Sequence, residues 1–325
     1  MFSNAPPFSG NFMIRYEAQD NAPMRDMILG IGVFDGVHLG HRRIMAEVTD
    51  LARRTGALPA AVTFFPHPRE VLCPDSPPRL LLPPDERLRR LREAGAAVVG
   101  IIDFSAAVAA TEPEDFVDRI IAGPRHIRGI CVGVNWRFGR NGSGDTRFLA
   151  GALARRNVAF RAVPELEMSG EIVSSSAIRD AIAAGELDRA ERMMGATAAL
   201  YGEVEPGFHE ATELLDAPTA NLRVDYGVLP PDGVYATWAV IDGKRLPAIT
   251  NIGVSPTFDR DERERRVETH LLGGFSGDLY HRKLTVELKR KLRDECRFPS
   301  PAALKRQIAA DCANALQALT GEKGI

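Results

Sequence analysis

Two domains of different class, a parallel α/β domain followed by an all-β barrel, are what this sequence predicts, on three observations. From Met27 to about Gly195, short apolar runs alternate with stretches of helical periodicity. From Ala196 onward that alternation stops, and short strands separated by turn residues take over. A glycine- and histidine-rich loop, Gly32 to His41, stands directly after the first apolar run, where an open parallel sheet presents its ligand site.

The elements follow in order. Met27–Ile31 reads as a buried strand, and Arg42–Thr55 carries Ile44, Met45, Val48, Leu51 and Ala52 at helical spacing. Leu58–Phe65 is a second strand, Asp85–Ala94 a helix that Gly95 would cap, and Ala96–Ile102 a third strand. Glu114–Ala122 is a helix opened by Thr111 and Pro113 and closed by Gly123, and Gly129–Val134 a fourth strand. The helix Thr146–Arg156 and the strand Val158–Val163 complete a βα alternation, which implies a parallel sheet with right-handed crossovers. In the second half, strands are expected at Leu200–Val204, Gly233–Ile241, Leu246–Ile252, Val267–Leu272 and Leu284–Leu288, with a helix at Pro301–Leu319. Asp242-Gly243 is the turn of a tight hairpin.

The chain has 325 residues, 45% of them apolar and 26% charged, which suits two ordinary globular domains. Expected bounds are a flexible arm over residues 1–25, the α/β domain over 26–195 and the barrel over 196–325. A net charge of −2 lacks the basic excess of a nucleic-acid binder, and no run of about 18 apolar residues is present to span a membrane. The arm contains Pro6, Pro7 and Pro23 without an apolar run, so it reads as neither signal peptide nor anchor. Cys73, Cys131, Cys296 and Cys312 form no C-x-x-C pair, which fits reduced thiols in the cytoplasm.

Within the loop, Gly32, Gly36 and Gly40 let the backbone turn and approach a ligand closely, and the helix start behind them favours an anion. His38 and His41, three residues apart, fall on one side of that first turn. Two imidazoles over an anion site point to phosphate chemistry. Gly30, Gly32 and Gly36 miss the dinucleotide fingerprint by one residue, and no glutamate or cysteine beside the histidines completes a zinc pattern.

Gly32-Val33-Phe34-Asp35-Gly36-Val37-His38-Leu39-Gly40-His41 resembles the signature of nucleotidylyltransferases with a His-x-Gly-His motif, and its wording is similar to that of the bacterial riboflavin kinase/FMN adenylyltransferase (FAD synthetase) family. The resemblance runs from about Ile28 to the C-terminus. It implies a Rossmann-like nucleotidylyltransferase domain in which Gly32, Phe34, Asp35, Gly36 and Gly40 shape the nucleotide site and His38 and His41 act on the α-phosphate. Pro66-His67-Pro68-Arg69-Glu70 matches the family stretch after the second strand, with Phe65 in place of an acidic residue. Its prolines fix an irregular loop that holds His67 and Arg69 toward the sheet edge. Asn135-Trp136-Arg137-Phe138-Gly139 resembles the flavin- and nucleotide-proximal loop, with Asn135 and Trp136 replacing Asp and Phe; Trp136 and Phe138 can stack on flat rings and Arg137 can pair a phosphate. Ser174-Ser175-Ser176-Ala177-Ile178-Arg179 resembles the signature that holds the triphosphate, with Ser176 for threonine. A serine cluster opening the helix Ala177–Ala184 is also an ordinary N-cap.

The second half is similar to the riboflavin kinase module: a β-barrel with Pro218-Thr219-Ala220-Asn221, Asn251-Ile252-Gly253 with Pro256-Thr257, and Val267-Glu268-Thr269-His270. There the resemblance makes Glu268 the base and gives Thr219 and Asn221 to Mg²⁺ and the phosphates. Between Gly202 and Pro218, however, a glycine-arginine phosphate loop is replaced by Gly207-Phe208-His209-Glu210-Ala211-Thr212-Glu213-Leu214-Leu215-Asp216-Ala217, one residue longer and acidic. Ser255 stands where arginine is common and His281 where glycine is usual. The resemblance therefore implies a transferase that makes FAD from FMN and ATP with Mg²⁺, with FMN formation from riboflavin in doubt. An ordinary bifunctional enzyme, a flavin-binding regulator and a transferase using another nucleoside triphosphate are the alternatives.

Overall fold

Met27–Ile31 is buried at every position, and its two sides show why. Met27, Leu29 and Ile31 join a cluster with Phe116, Val117, Ile120, Leu149 and Leu153, whereas a Cβ on Gly30 would stand 3.0 Å from Val48 and 3.1 Å from Met45. Helices thus cover both faces of this strand, and Gly30 admits the closer one. The computed structural model describes residues 14–17, 26–122, 126–205, 219–254, 265–272, 275, 277 and 279–320.

The elements are β1 (Ile14–Glu17), β2 (Met27–Ile31), a 3₁₀ turn (Asp35–Val37), α1 (Leu39–Thr55), β3 (Leu58–Phe65), α2 (Pro68–Leu72), α3 (Pro84–Glu93), β4 (Val98–Asp103), α4 (Ala106–Ala109), α5 (Pro113–Ile121), β5 (Ile127–Gly133), α6 (Thr146–Ala154), β6 (Ala159–Val163), β7 (Glu167–Met168), β8 (Glu171–Ile172), α7 (Ser175–Ala183) and α8 (Leu187–Met194). Then come β9 (Ala199–Glu205), β10 (Thr219–Tyr226), β11 (Gly233–Ile241), β12 (Lys244–Val254), β13 (Arg265–Leu271), β14 (Lys283–Arg293) and α9 (Pro301–Thr320).

The first sheet has the order β1-β4-β3-β2-β5-β6, with β2 to β6 parallel and β1 antiparallel. From β2 the chain builds outward through β3 and β4, then crosses to β5 and β6 on the other side. The reversal point lies between β2 and β5, and a doubly wound sheet binds its ligands beyond the strand ends there.

The second sheet is the closed barrel β10-β13-β12-β11-β14-β9. Thr237, Thr250 and Thr269 are fully buried, and their hydroxyls form a chain at 2.8 and 3.1 Å, so each polar group has a partner. Ala315 and Leu319 of α9 pack on Val234, Ala236 and Ile249, and Arg293 Nη2 donates to Asp311 at 2.8 Å where β14 meets α9.

Several expectations change. Ile14–Glu17, inside the stretch read as a loose arm, is a strand: Ile14 and Tyr16 point at Gly100, whose missing side chain leaves them room. The proline-rich stretch after β3 is helical from Pro68, because proline suits a first helical turn. Strand β10 and helix α8 were not expected. By its contacts the chain divides into Met1–Pro78 with Pro84–Ser174, and Arg79–Pro83 with Ser175–Ile325, which groups α7 and α8 with the barrel. One reason is local: Lys289 of β14 donates to Glu191 of α8 at 3.2 Å, and Glu191 also accepts from Thr197. Gly123, the acidic loop Gly207–Ala217, Pro218, Ser255, Pro256 and Thr257 lie outside the described residues.

Candidate functional sites

The loop after β2 begins at Val33, whose carbonyl accepts from Thr63 Oγ1 at 2.8 Å and from Arg87 Nη1 at 3.3 Å. Phe34 then takes φ 55°, Gly36 φ 86° and Val37 φ 42°. A left-handed β-branched residue is strained, so surrounding bonds must hold this loop in shape. Asp35 is almost fully buried within the turn.

His38 is the N-cap of α1, its Nδ1 accepting from His41 N at 3.4 Å. The two imidazoles stack with centroids 3.6 Å apart and planes at 21°, and Phe34 meets His41 edge-on at 5.2 Å. A Cβ on Gly40 would lie 3.1 Å from the His38 ring, and one on Gly32 3.2 Å from Phe34, so these glycines make space for the rings. Nδ1 of His41 is buried without a hydrogen-bond partner. Burial, then the neighbouring His38 and Arg87, hold the His41 pKa well below the ordinary imidazole range, so the ring is neutral at pH 7. One N–H of the expected anion site is thus taken by His38 itself, and the pair is brought together as the spacing requires.

Beside Val33 opens a cleft of about 580 Å³ lined by Phe64, Pro68, Leu72, Phe104, Phe116, Trp136, Phe138 and Arg140, among others. Trp136 stacks on Phe138 at 4.6 Å and 17°, and Phe116 lies 5.3 Å from Phe138. Phe138 is 5% exposed, so it backs the wall while the half-buried Trp136 faces outward. Gly144 is obligatory here, since a Cβ would come within 2.7 Å of the Phe138 ring.

The polar residues expected at this cleft have other bonds. His67 caps α2, its Nδ1 accepting from Arg69 N at 3.0 Å, and its own N–H donates to Glu70. Arg69 is exposed. Asn135 Nδ2 donates to Glu165 at 2.6 Å, which puts a carboxylate beside the position where the resemblance expects Asp. Arg137 lies 3.7 Å from Asp145, the N-cap of α6; the Phe148 N–H chiefly lowers the pKa of that carboxyl. Ser174 ends the first unit, while Ser175, Ser176 and Arg179 stand on α7 in the second, where Arg179 Nε donates to Arg79 O at 2.8 Å.

On the barrel, register brings the expected residues together. Thr219 lies opposite His270, Asn221 opposite Glu268, and Asn251 opposite Glu268 from the other side. Burial raises the pKa of Glu268, Arg266 opposes that and Glu295 adds to it. Glu295 was not foreseen: its Oε1 accepts from Asn251 Nδ2 at 3.3 Å and fills the space where a Gly253 side chain would begin. Nothing in sequence spacing ties it to Glu268. Arg87 was also missed, although its position on the same helical face as Leu88 and Leu91 marks it as inward-facing. Among the described residues no group of three or more His, Cys, Asp or Glu could hold a metal ion. The hydroxyl, amide and carboxylate oxygens of Thr219, Asn221, Asn251 and Glu268 are the hard donors that suit Mg²⁺.

Residues 20–177 match the FAD synthetase family and residues 194–319 the riboflavin kinase family. A Pseudomonas fluorescens protein named bifunctional riboflavin kinase/FMN adenylyltransferase is 37% identical over 90% of this chain and 92% of its own. Proteins of the same name from Escherichia coli (strain K12) and Bacillus subtilis (strain 168) are 33% and 28% identical, each over 89% of this chain and 92% of their own. A crystal structure described as a macrolide-efflux protein from Streptococcus pneumoniae aligns with 90% of this chain and 94% of its own, at a TM-score of 0.78 and 28% identity. Among the described residues of this chain, no helix is long and apolar enough to cross a membrane.

Proposed function

Since this chain belongs to the bifunctional riboflavin kinase/FMN adenylyltransferase family, we propose that it makes FAD by transferring AMP from ATP to FMN. The observation that carries this reading is the stacked pair His38 and His41 at the reversal point of the sheet, with the aromatic cleft opening from Val33 of the same loop. An FMN phosphate oxygen attacks the α-phosphorus of ATP, the bond to the bridging oxygen breaks, and pyrophosphate leaves with that electron pair. FMN phosphate is already an anion, so the protein needs no base; it supplies alignment and hydrogen bonds to developing charge. His41, being neutral, acts as a hydrogen-bond donor to phosphate oxygen rather than as a cation. Ser174, Ser175, Ser176 and Arg179 are assigned to the β- and γ-phosphates. Trp136 offers its ring to the isoalloxazine, and Glu165 restores through Asn135 the negative charge that the substitution removed. Mg²⁺, when bound, neutralises the polyphosphate.

Phosphorylation of riboflavin by the barrel is proposed to be weak. The base Glu268 and the oxygen donors Thr219 and Asn221 stand in register, but phosphoryl transfer depends on holding the triphosphate. In the sequence Glu210, Glu213 and Asp216 occupy the stretch where family members carry glycines and an arginine. Free thiols at Cys73, Cys131, Cys296 and Cys312, with burial pushing that of Cys131 up to about 12, support a reducing compartment, the cytoplasm. Small molecules are the proposed partners, without nucleic acid or membrane.

The test incubates the whole chain with FMN, Mg²⁺ and each nucleoside triphosphate in turn, following pyrophosphate and flavin products. FAD with ATP is expected; release with CTP alone changes the donor, and no release with any triphosphate overturns the transferase in favour of a flavin binder. For the kinase, riboflavin and ATP are given to the fragment from Ser175, which retains α7 and α8. Turnover at about 1 per second or faster, typical of kinases, overturns the weak-kinase reading.

A further inference from the structure

Arg87 is only 2% exposed, an unusual place for a group that carries charge at any working pH. It projects from the apolar face of α3, and α3 packs on the 3₁₀ turn that precedes His38. Its Nη1 donates to Val33 O and Phe64 O, 3.3 Å each, the carbonyls at the ends of β2 and β3. One guanidinium nitrogen therefore ties two adjacent strands at the point where the strained loop begins. The same guanidinium is close enough for its charge to act on His41. The other titratable groups around His41 are His38, stacked on it, and Asp35, buried in the preceding turn.

We propose that Arg87 is a positioning residue for adenylyl transfer: it fixes the entry of the His38–His41 loop, and its charge makes Nε2 the proton-bearing nitrogen of His41. A proton on the buried Nδ1 would have no acceptor, and the charge of Arg87 disfavours a second proton on the ring. With Nδ1 bare, Nε2–H is left to donate to a phosphate oxygen. The depressed pKa of His41, to which burial contributes most and Arg87 adds, has the same direction. The inference rests on the assignment of His41 to the transfer site, but its spectroscopic arm does not.

The experiment uses full-length protein with ¹⁵N- and ¹³C-labelled histidine, comparing wild type, Arg87→Gln and Arg87→Lys, with His41→Gln to assign the resonances. Wild type is expected to show His41 as the Nε2–H tautomer. Arg87→Gln should raise the His41 pKa, mix the tautomers, and lower kcat at least about tenfold while KM for ATP and FMN stays within about threefold. Arg87→Lys, which keeps the charge, should restore the His41 titration and at least a third of kcat. A folded Arg87→Gln with wild-type His41 resonances and titration overturns the proposal, as does Arg87→Lys as impaired as Arg87→Gln. If Arg87→Gln does not fold, Arg87→Lys decides: retained titration and kcat support the proposal, and a shifted His41 or kcat below about a hundredth overturns it. An altered His41 signal in a chain that makes no FAD at all would leave the effect of Arg87 on the His41 ring standing, while removing the transferase reading and with it the part of Arg87 in adenylyl transfer.

Discussion

His38 caps the first turn of α1 through the very N–H of His41, the residue on which its ring stacks at 3.6 Å. Stability and chemistry are therefore separable at this pair by the choice of substitution.

His38→Ala removes both cap and ring and should cost about 1 kcal/mol together with most of the turnover. His38→Asn supplies another good capping side chain, so melting should recover while FAD formation stays low. His41→Ala should lower kcat at least about a hundredfold, the range for losing one preorganised stabiliser. Thermal melts and FAD assays on the three variants check this; near-wild-type FAD formation by His41→Ala removes the assignment.

Acid should destabilise the α/β unit through His41. Its folded pKa lies below that of an unfolded histidine, so as pH falls through about 6.5 the unfolded chain takes up a proton that the folded chain refuses. Stability is then lost from about pH 6.5 downward and is fully present above it. Denaturant melts between pH 8 and 5 should show that slope, and His41→Phe should flatten it; an unchanged slope in that variant refutes the point.

Glu295→Gln should lower the pKa of Glu268. Burial is the main cause of its elevation and would remain, but the like charge of Glu295 would be gone. Carboxyl ¹³C titration of wild type and variant reads the change directly. A shift upward, or none, shows that the two carboxylates do not interact.

His281 adopts φ 62° at a position where the sequence resemblance expects glycine. Glycine enters that region without steric cost, so His281→Gly should stabilise the barrel by about 1 kcal/mol, less the small loss of the exposed contact with Glu203 at 3.2 Å. A lower melting temperature would show that the contact outweighs the strain.

What could be read in the sequence was whatever depends on local period or local backbone chemistry. Gly233–Ile241 has the bounds foreseen for it, and Asp242 and Gly243 take positive φ values of 50° and 76° in the hairpin they announced. β10 was legible too: Thr219–Tyr226 alternates polar and apolar residues at every position, the period of a half-buried strand, and it carries Thr219 and Asn221. For Glu295, and for Arg87 although its helical face marks it as inward, it was the role that lay beyond reach. Their roles come from contacts across 54 residues to Val33 and 44 residues to Asn251, and such pairings exist only once the sheets are assembled.

Strand β1 has a consequence for handling the protein. Val98–Asp103 is apolar along most of its length, and without Ile14–Glu17 its outer backbone amides and carbonyls would face water unpaired. An open strand of that kind recruits the same strand from another molecule. Removing the first 17 residues as a dispensable tail should therefore yield a protein whose association grows with concentration, and the short segment that looks like an appendage serves as a guard against aggregation.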